Sequence, residues 1–281
     1  MNALERPRTL NELFSIYRPC MEFVAGGSDW VIKNHGRLAE ETAVADLSLL
    51  EELKGISFVE GFLRIGAMET MTGIHSSALV RKYAAALADA AYVMGSEQIR
   101  NRATAGGNVA NSSPAADTPP ALAALGARAV AASAAGERAL PIEEVLGRNK
   151  NNLAAGEIIK EFIIPADKSR VSAFLKIGSR SQVSISRVNL AVSARYEEGL
   201  YKDARVYVGT LGSAALRCAG AEAALGAPGF EEGFPEALCA FAASAIPGRP
   251  TLSYKQSALR ALSLDVTVLL MKRAGKCAAD D

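Results

Sequence analysis

Residues 101–120 read NRATAGGNVANSSPAADTPP and form the most distinctive stretch of the sequence. This stretch is rich in glycine, asparagine, serine and proline, carries little charge, and follows a segment with the apolar spacing of a helix. Such a composition is typical of a solvated loop. A new helix is predicted directly after it, with Thr118 as the capping residue and proline at the first helical position. We therefore expect a long polar loop between two helices.

Two glycine pairs stand out, one inside this stretch and one about 80 residues before it. The pair at 106–107 follows Thr104, and the pair at 26–27 precedes Ser28. Glycine allows a positive φ and has no Cβ, so successive amides can point into one concavity and approach a ligand closely. Neither pair matches the dinucleotide or P-loop pattern, and a single pair is more often a tight turn. Two pairs from distant parts of the chain could, however, hold one diphosphate from both sides.

The composition indicates a globular protein and excludes several classes of partner. The chain has 281 residues, which at roughly 150 residues per domain predicts two domains. Hydrophobic residues make up 49% of it, which rules out intrinsic disorder. The 31 basic and 30 acidic residues leave a formal net charge of +1. The overall charge therefore predicts no binding to nucleic acid or to an anionic membrane.

No export signal, membrane span or metal site is predicted. Residues 1–10 contain charges and a proline where a signal peptide has an apolar core. No stretch reaches the ~18 consecutive apolar residues that span a bilayer, so we expect a cytoplasmic protein. The two histidines stand far apart. The cysteines are too widely spaced for a metal or iron–sulfur set, and they are Cys20, Cys218, Cys239 and Cys277.

The first 165 residues predict a mixture of short strands and helices. Strands are expected at residues 23–25, 42–47, 62–65 and 157–164, and one helix at residues 76–93. Residues 30–32, after the first glycine pair, fit the start of a helix or a second strand equally well.

A polar segment at residues 167–170, after a strand that stops at Pro165, predicts a domain boundary. Beyond it, residues 172–177, 189–196 and 204–208 predict three strands of an antiparallel sheet. The tail is expected to be helical at residues 216–225, 234–245 and 254–272.

Three segments together resemble one protein family. They are residues 25–29 (AGGSD), 98–108 (QIRNRATAGGN) and 113–122 (SPAADTPPAL). These segments look like the FAD-binding medium subunit of molybdenum hydroxylases, a family that includes the flavoprotein subunits of bacterial xanthine dehydrogenase and of aerobic carbon monoxide dehydrogenase. Shorter supporting pieces occur in the same order at residues 46–48, 63–67, 156–159 and 174–180. The resemblance covers essentially the whole chain.

The resemblance implies an α+β fold with two domains. Residues 1–167 would form a two-lobed FAD-binding domain of the PCMH type. Residues 168–281 would form a small C-terminal domain with a three-stranded antiparallel sheet and helices. Because the chain lacks cysteine sets for [2Fe–2S] centres and a region for molybdopterin, those cofactors are expected only on partner subunits.

The resemblance also assigns cofactor contacts, position by position. One side of the FAD diphosphate and ribityl chain would be enclosed by Ala25, Gly26, Gly27, Ser28, Asp29 and Trp30. The other side would be enclosed by Ala103, Thr104, Gly106, Gly107 and Asn108. The remaining contacts are Asp117 near the ribityl or phosphate region, Ile158 and Ile159 against the flavin or adenine, and Lys176 from the C-terminal domain.

Several of these positions have a second interpretation. A cation such as Lys176 would stabilise the anionic reduced cofactor, although a lysine on a strand is often only a surface residue. Asp117 could merely complement the dipole of the helix that follows it. Trp30 replaces the smaller aliphatic residue common in the family and fits a core position better than a stacking one. Ala105 is smaller than the family's usual Ile or Leu.

Residues 178–187 are polar, lie near the flavin's exposed face in the family, and could gate access of an electron acceptor.

The function implied by the resemblance is that of an oxidoreductase subunit with non-covalent FAD. It would pass electrons from the iron–sulfur clusters of a small partner subunit, in a complex whose large subunit holds molybdopterin, through FAD to NAD or another acceptor. Catalysis would be flavin-mediated and would need no catalytic residue from this chain. The alternatives are a stand-alone FAD-dependent oxidoreductase of the same superfamily, disfavoured by size, and a scaffold that has lost the cofactor, disfavoured by the intact glycine pairs.

Overall fold

A computed structural model describes residues 4–35, 42–147, 150–180 and 183–277 of the protein. The strands of the N-terminal part are β1 (Leu4–Glu5), β2 (Glu22–Val24), β3 (Val44–Asp46), β4 (Ile56–Val59), β5 (Phe62–Gly66), β6 (Arg128–Ser133), β7 (Gly136–Pro141) and β8 (Ile158–Pro165). Its helices are α1 (Leu10–Ile16), α2 (Trp30–Asn34), α3 (Met71–Ser76), α4 (Ala78–Tyr83), α5 (Ala85–Tyr92), α6 (Glu97–Arg100), α7 (Ala105–Ala110), α8 (Thr118–Ala124) and α9 (Ile142–Val145).

Two sheets build the N-terminal part. A small parallel sheet has the strand order β1-β3-β2, and a larger antiparallel sheet has the order β4-β5-β8-β6-β7. The central strand β8 pairs with β5 on one side and β6 on the other. The link from β8 to β5 therefore joins segments about 100 residues apart, and the two sheets correspond to the two lobes expected of this part.

The C-terminal part is a four-stranded antiparallel sheet with helices. Its strands are β9 (Arg170–Gly178), β10 (Ser186–Glu197), β11 (Leu200–Gly209) and β12 (Leu216–Arg217), in the order β12-β11-β10-β9. Its helices are α10 (Ala219–Leu225), α11 (Phe230–Ala245) and α12 (Leu252–Cys277). The prediction of three strands is wrong by one, because β12 has two residues, too few to show an alternating pattern.

Local capping corrects two further expectations in the N-terminal part. The helix predicted at residues 76–93 is divided into α4 and α5, and its first residue belongs to α3. Ser77 ends α3 and begins α4, its hydroxyl accepting the Val80 N–H at 3.4 Å. Ala84 then breaks the helix, with φ of −141°. A run of apolar residues at helical spacing does not show such breaks.

The stretch at residues 101–120 is not entirely a loop. It contains α7, although the Gly-Gly-Asn sequence of this helix has low helix propensity. Tertiary hydrogen bonds hold its start, with the Ala105 N–H donating to the Glu69 carbonyl at 3.0 Å. Thr118 is also not the cap of α8, because Asp117 occupies the N-cap position and Thr118 is the first helical residue.

The C-terminal sheet is packed on both faces. Alternate side chains of β9 and β10, such as Phe174 and Ala191, join the alanine-rich core formed by α5, α8 and the five-stranded sheet. Their neighbours Ala173 and Leu190 face the opposite core, which α11 and α12 cover. This is the period-two pattern of a sheet buried on both sides. The predicted boundary at residue 167 thus lies in the short link from β8 to β9, while the side chains on either side share a core.

The described residues contain neither a membrane-spanning helix nor a cluster of metal-binding side chains. None of the helices in the described ranges is both long and apolar enough to cross a bilayer. Within the described side chains, which exclude that of Cys277, no group of three or more His, Cys, Asp or Glu residues could hold a metal ion.

Candidate functional site

A cavity of about 1000 Å³ lies where the parallel sheet, α7, β8 and the edge of the C-terminal sheet meet. This cavity has a volume at the upper end of the range of small-molecule sites, about 300–1000 Å³. Every residue predicted as a cofactor contact lines it. They are Ala25, Gly26, Gly27, Ser28, Asp29, Trp30, Ala103, Thr104, Gly106, Gly107, Asn108, Asp117, Ile158, Ile159 and Lys176. The structure therefore brings together residues that lie up to about 150 positions apart in the sequence.

The first glycine segment follows β2 and leads into α2. Gly27 has φ of +75°, a conformation that favours glycine. A Cβ added to Gly26 would overlap the carbonyl oxygen of Arg102, so the second segment packs directly against this backbone. The backbone N–H groups of residues 26–29 form no hydrogen bond to another described residue. They are donors available to a ligand in the cavity.

The second glycine segment is organised differently. Thr104 caps α7, its hydroxyl accepting the Gly107 N–H at 3.1 Å. The Gly106 N–H donates to the Ala67 carbonyl at 2.8 Å, and the Asn108 N–H to the Thr104 carbonyl at 2.9 Å. The expectation that both glycine pairs present free amides is therefore wrong for this pair. Gly106 serves close packing instead, because an added Cβ would lie 2.6 Å from the Cβ of Ala67.

A polar network joins the two segments at one end of the cavity. The Asn111 side-chain amide donates to an Asp29 carboxylate oxygen at 2.5 Å, and the Lys33 ammonium donates to the Asn111 amide oxygen. Asn111 is the C-cap residue of α7 and lines the cavity. The sequence did not single it out, and its one signal was its place in the asparagine-rich stretch.

Trp30 lies in the cavity wall and not in the core. Its side chain is half-buried, and its indole N–H donates to a Glu22 carboxylate oxygen at 2.5 Å. The expectation of a core position is therefore wrong. Trp30 thus lines the cavity with a partly exposed aromatic side chain, a group common in small-molecule sites.

Asp117 and Lys176 form a buried ion pair at the C-terminal side of the cavity. The Lys176 ammonium lies 2.6 Å from a carboxylate oxygen of Asp117, and the two side chains are 9% and 7% exposed. Lys176 is thus not a surface residue. Ser186 and Asn189 also donate to Asp117, at 2.6 and 3.4 Å. Asp117 makes no side-chain cap bond at the start of α8, and its ion-pair partner is Lys176.

Burial and hydrogen bonding oppose each other at Asp117. Loss of solvent raises the pKa of its carboxyl, while Lys176, Ser186 and Asn189 lower it. The net effect raises the pKa above its usual value, because burial dominates. The ion pair with Lys176 therefore favours the charged form of the Asp117 carboxyl, which burial alone would disfavour.

A third segment of the cavity wall precedes β8. Gly156 has φ of +80°, and an added Cβ there would lie 2.8 Å from the Tyr17 ring. Glu157 anchors the segment by accepting two hydrogen bonds from Arg138, at 2.7 and 2.8 Å. The sequence pointed to residues 156–159 only through the resemblance. Tyr17 carried no signal, because it joins the cavity through tertiary packing.

The polar stretch at residues 178–187 borders the same cavity. Positions 181 and 182 lie outside the described residues. Ser184 contributes its carbonyl, which accepts a hydrogen bond from the Lys176 ammonium at 3.2 Å. The idea that this stretch gates an acceptor stays a prediction.

The residues present fit an FAD molecule. Four free backbone N–H groups suit a diphosphate, and the Cβ-free surface of Gly26 lets two chain segments meet beside it. Ile158 and Ile159 supply an apolar wall for a ring. The Lys176 ammonium supplies positive charge at the other side.

Comparison with known proteins identifies the family of this chain. A family model described as the FAD binding domain in molybdopterin dehydrogenase matches residues 1–167. This chain belongs to that family. As a member of the FAD binding domain family of molybdopterin dehydrogenases it is an oxidoreductase flavoprotein chain, and the predicted family, the α+β fold and FAD as cofactor are confirmed.

Relatives within this family have similar length and fold. The chain is 33% identical over 201 residues to the nicotinate dehydrogenase FAD-subunit of Eubacterium barkeri, covering 68% of each. It is also 33% identical over 226 residues to the xanthine dehydrogenase FAD-binding subunit of Escherichia coli O157:H7, covering 78% of this chain and 77% of the relative. A chain of carbon monoxide dehydrogenase from Hydrogenophaga pseudoflava superposes with a TM-score of 0.85 at 25% identity, covering 97% of this chain and 98% of that one.

Proposed function

We propose that this chain is the FAD-binding electron-transfer subunit of a multi-subunit molybdenum hydroxylase. FAD binds non-covalently in the cavity of about 1000 Å³, and electrons pass from iron–sulfur clusters of a partner through FAD to an acceptor, NAD. The observation that carries the proposal is the meeting of the two glycine segments at one cavity, with free N–H groups at residues 26–29. FAD, when bound, supplies the electron and hydride transfer chemistry.

The two glycine segments have different tasks in this proposal. The N–H groups of residues 26–29 donate to the diphosphate. The N–H groups of Gly106, Gly107 and Asn108 are already bonded, so the second segment contributes mainly through side chains. The Thr104 hydroxyl can donate while it accepts from Gly107, and the Asn108 amide oxygen is used by Thr118 at 2.6 Å. The Asn108 NH2 group has no bonded partner among the described residues and can donate to the ligand.

The Asp117–Lys176 pair sets the charge at the other end of the cavity. Its ammonium is fixed by Asp117 and by the Ser184 carbonyl, which leaves one of its three N–H donors for a ligand. A fixed cation in a buried wall stabilises negative charge on a neighbouring cofactor. A covalent histidyl–flavin bond is disfavoured, because neither His35 nor His75 is among the described residues that line the cavity.

The relatives support the wider assembly. Two of them are named as FAD subunits of nicotinate and xanthine dehydrogenases. We extend this to an iron–sulfur small subunit and a molybdopterin large subunit as partners, and to a cytoplasmic location. The domain division at residues 1–167 and 168–281 is part of the same proposal.

Cofactor binding is tested by titrating the purified chain with FAD. We expect one FAD per chain, flavin absorbance bands that persist through gel filtration, and release of all flavin on denaturation. A chain without flavin bands after the titration would contradict the proposal. Flavin that stays attached after denaturation would contradict the non-covalent part of it.

The acceptor is tested on the FAD-loaded chain without oxygen. If NAD is the acceptor, NADH should bleach the flavin absorbance, because the reverse reaction uses the same site. An unchanged spectrum with NADH, together with bleaching by dithionite, would exclude NAD while leaving FAD binding intact.

A further inference from the structure

A second concave surface lies on the C-terminal part, beside the FAD cavity. We name it the basic groove, after Arg187, Arg249 and Lys255, which line it. The groove has a volume of about 780 Å³. Ala115 and Ser186 line both the groove and the FAD cavity, so the two share a wall. A ligand in the basic groove is therefore next to the cofactor site.

The basic groove has an uncompensated positive charge. Its described lining residues include three basic side chains and no acidic one. The Lys255 ammonium is half-buried and donates to the carbonyl and the hydroxyl of Thr210, the latter at 3.2 Å. Burial, with the charge of Arg249, lowers the pKa of Lys255. An anion in the groove would relieve both effects.

The two arginines of the groove lack the ion pairs that several other arginines form. Arg64 and Arg273, for example, each form ion pairs at 2.7–2.8 Å. Neither Arg187 nor Arg249 forms an ion pair with an acidic side chain of the described residues. Arg187 lies over the Tyr254 ring, 5.9 Å from its centroid. The guanidinium donors remain available, and their planar geometry matches the oxygens of a phosphate.

Lys255 and the start of α12 add positive charge to the basic groove. Lys255 is recessed, and its bonds to Thr210 fix it in place. Helix α12 begins at Leu252, so the positive end of its dipole adds to the same region. On the shared wall, Ser186 donates to Asp117, which holds Lys176 in the FAD cavity. Phosphates bound here would therefore lie beside the wall that the groove shares with the FAD cavity.

We propose that the basic groove binds the phosphate groups of the electron acceptor. This acceptor is an organic diphosphate, as the proposed function requires. The inference rests on the proposed function, because it places the acceptor next to FAD. Arg187 and Arg249 contact the outer phosphate oxygens, and Lys255 contacts them from the floor of the groove.

The test uses ADP-ribose, which has the diphosphate of a pyridine dinucleotide but no reducible ring. Binding to the FAD-loaded chain is measured by calorimetry. We expect saturable binding that weakens with salt, and a Kd at least tenfold higher for the Arg249→Gln and Arg249→Gln/Lys255→Gln variants. Arg260→Gln is the matched control, since Arg260 is an exposed arginine of α12 that pairs with Glu236 at 2.7 Å. It should leave the Kd unchanged.

Several outcomes overturn the inference. Equal Kd values for Arg249→Gln and Arg260→Gln would show that ADP-ribose does not use the groove. Inorganic pyrophosphate that binds as tightly as ADP-ribose would show a site for free anions and not for an organic ligand. Loss of assembly with partner subunits, with ADP-ribose binding unchanged, would assign the groove to an acidic protein surface. These outcomes differ from a failure of the proposed function, because in that case the chain would show no flavin absorbance bands after titration with FAD.

Discussion

Arg273, near the end of α12, forms a bidentate ion pair with Asp89 of α5, which lies 184 residues earlier in the chain. Both N–O distances are 2.8 Å. The same carboxylate accepts the backbone N–H of Phe174 at 3.1 Å, and Arg273 also donates to the Ser172 carbonyl. One carboxylate thus connects the N-terminal helices, the C-terminal sheet and the last helix.

Replacing this carboxylate should destabilise the whole chain. We expect Asp89→Ala to lower the free energy of unfolding by about 2–3 kcal/mol, because it removes hydrogen bonds to a charged group and leaves the Phe174 N–H unpaired. Denaturant unfolding measures the change. Glu236→Ala, at an exposed ion pair with Arg260, is the control and should not shift the unfolding midpoint. Similar midpoints for the two variants would refute the role of Asp89.

Gly26→Ala should abolish FAD binding. The added Cβ would overlap the Arg102 carbonyl and separate the two glycine segments. Gly220→Ala is the matched control, because Gly220 lies in α10 with open space around it. That change should leave FAD binding intact and stabilise the helix by up to about 1 kcal/mol. The FAD content after gel filtration and the thermal midpoint are measured for both, and a Gly26→Ala chain with full FAD content would contradict the packing argument.

Lys176→Met should destabilise the FAD-free chain in a pH-dependent way. It leaves the Asp117 carboxyl buried without its cation, which we expect to cost about 3–5 kcal/mol at pH 8. Without Lys176, burial raises the pKa of Asp117 still further above its ordinary value of 3.8. The folded state then holds a proton that the unfolded state has lost, so stability falls as the pH rises between those two pKa values.

The loss caused by Lys176→Met is therefore expected to be smaller at pH 5 than at pH 8, as measured by denaturant unfolding at both. The double variant Asp117→Asn/Lys176→Met should recover part of the stability, because no charge remains buried. Lys202→Met, at an exposed lysine, should show no such pH dependence. An equal loss for Lys176→Met at both pH values would rule out the buried carboxylate as its cause.

Trp30 gives a direct optical test of the cavity, because it is the only tryptophan in the sequence. Its half-exposed position in the cavity wall predicts quenching of its fluorescence by acrylamide in the FAD-free chain. Bound FAD should shield the remaining emission from acrylamide. Trp30→Phe should remove the emission and still bind FAD. Equal acrylamide quenching with and without FAD would place Trp30 away from the ligand.

Strands with long alternating or apolar runs could be predicted from the sequence, because the pattern reflects burial directly. The predicted strands at 62–65, 172–177 and 189–196 lie within β5, β9 and β10. The hairpin of β6 and β7 was not predicted. Three of the six residues of its first strand are alanine, and alanine gives no preference for a strand.

The site was predicted through its glycine segments, and tertiary contacts explain what was missed. The helical form of α7 depends on hydrogen-bond acceptors in another segment, such as the Glu69 carbonyl. The sequence therefore could not show that the backbone N–H groups of α7 are already hydrogen-bonded. Asn111 and Tyr17 reach the cavity from positions without a motif. The pairing of Asp117 with Lys176 also joins residues 59 positions apart, which sequence spacing does not show.

The two-sided burial of the C-terminal sheet has a consequence for how the protein melts. Phe174 and Tyr207 fill the N-terminal core while their strand neighbours fill the other, so neither core can open without exposing the apolar surface of the second. The two cores that share this sheet are thus one cooperative unit and should melt in a single calorimetric transition. Substitutions in the part of this core that α11 covers would then lower the temperature at which the cofactor is released.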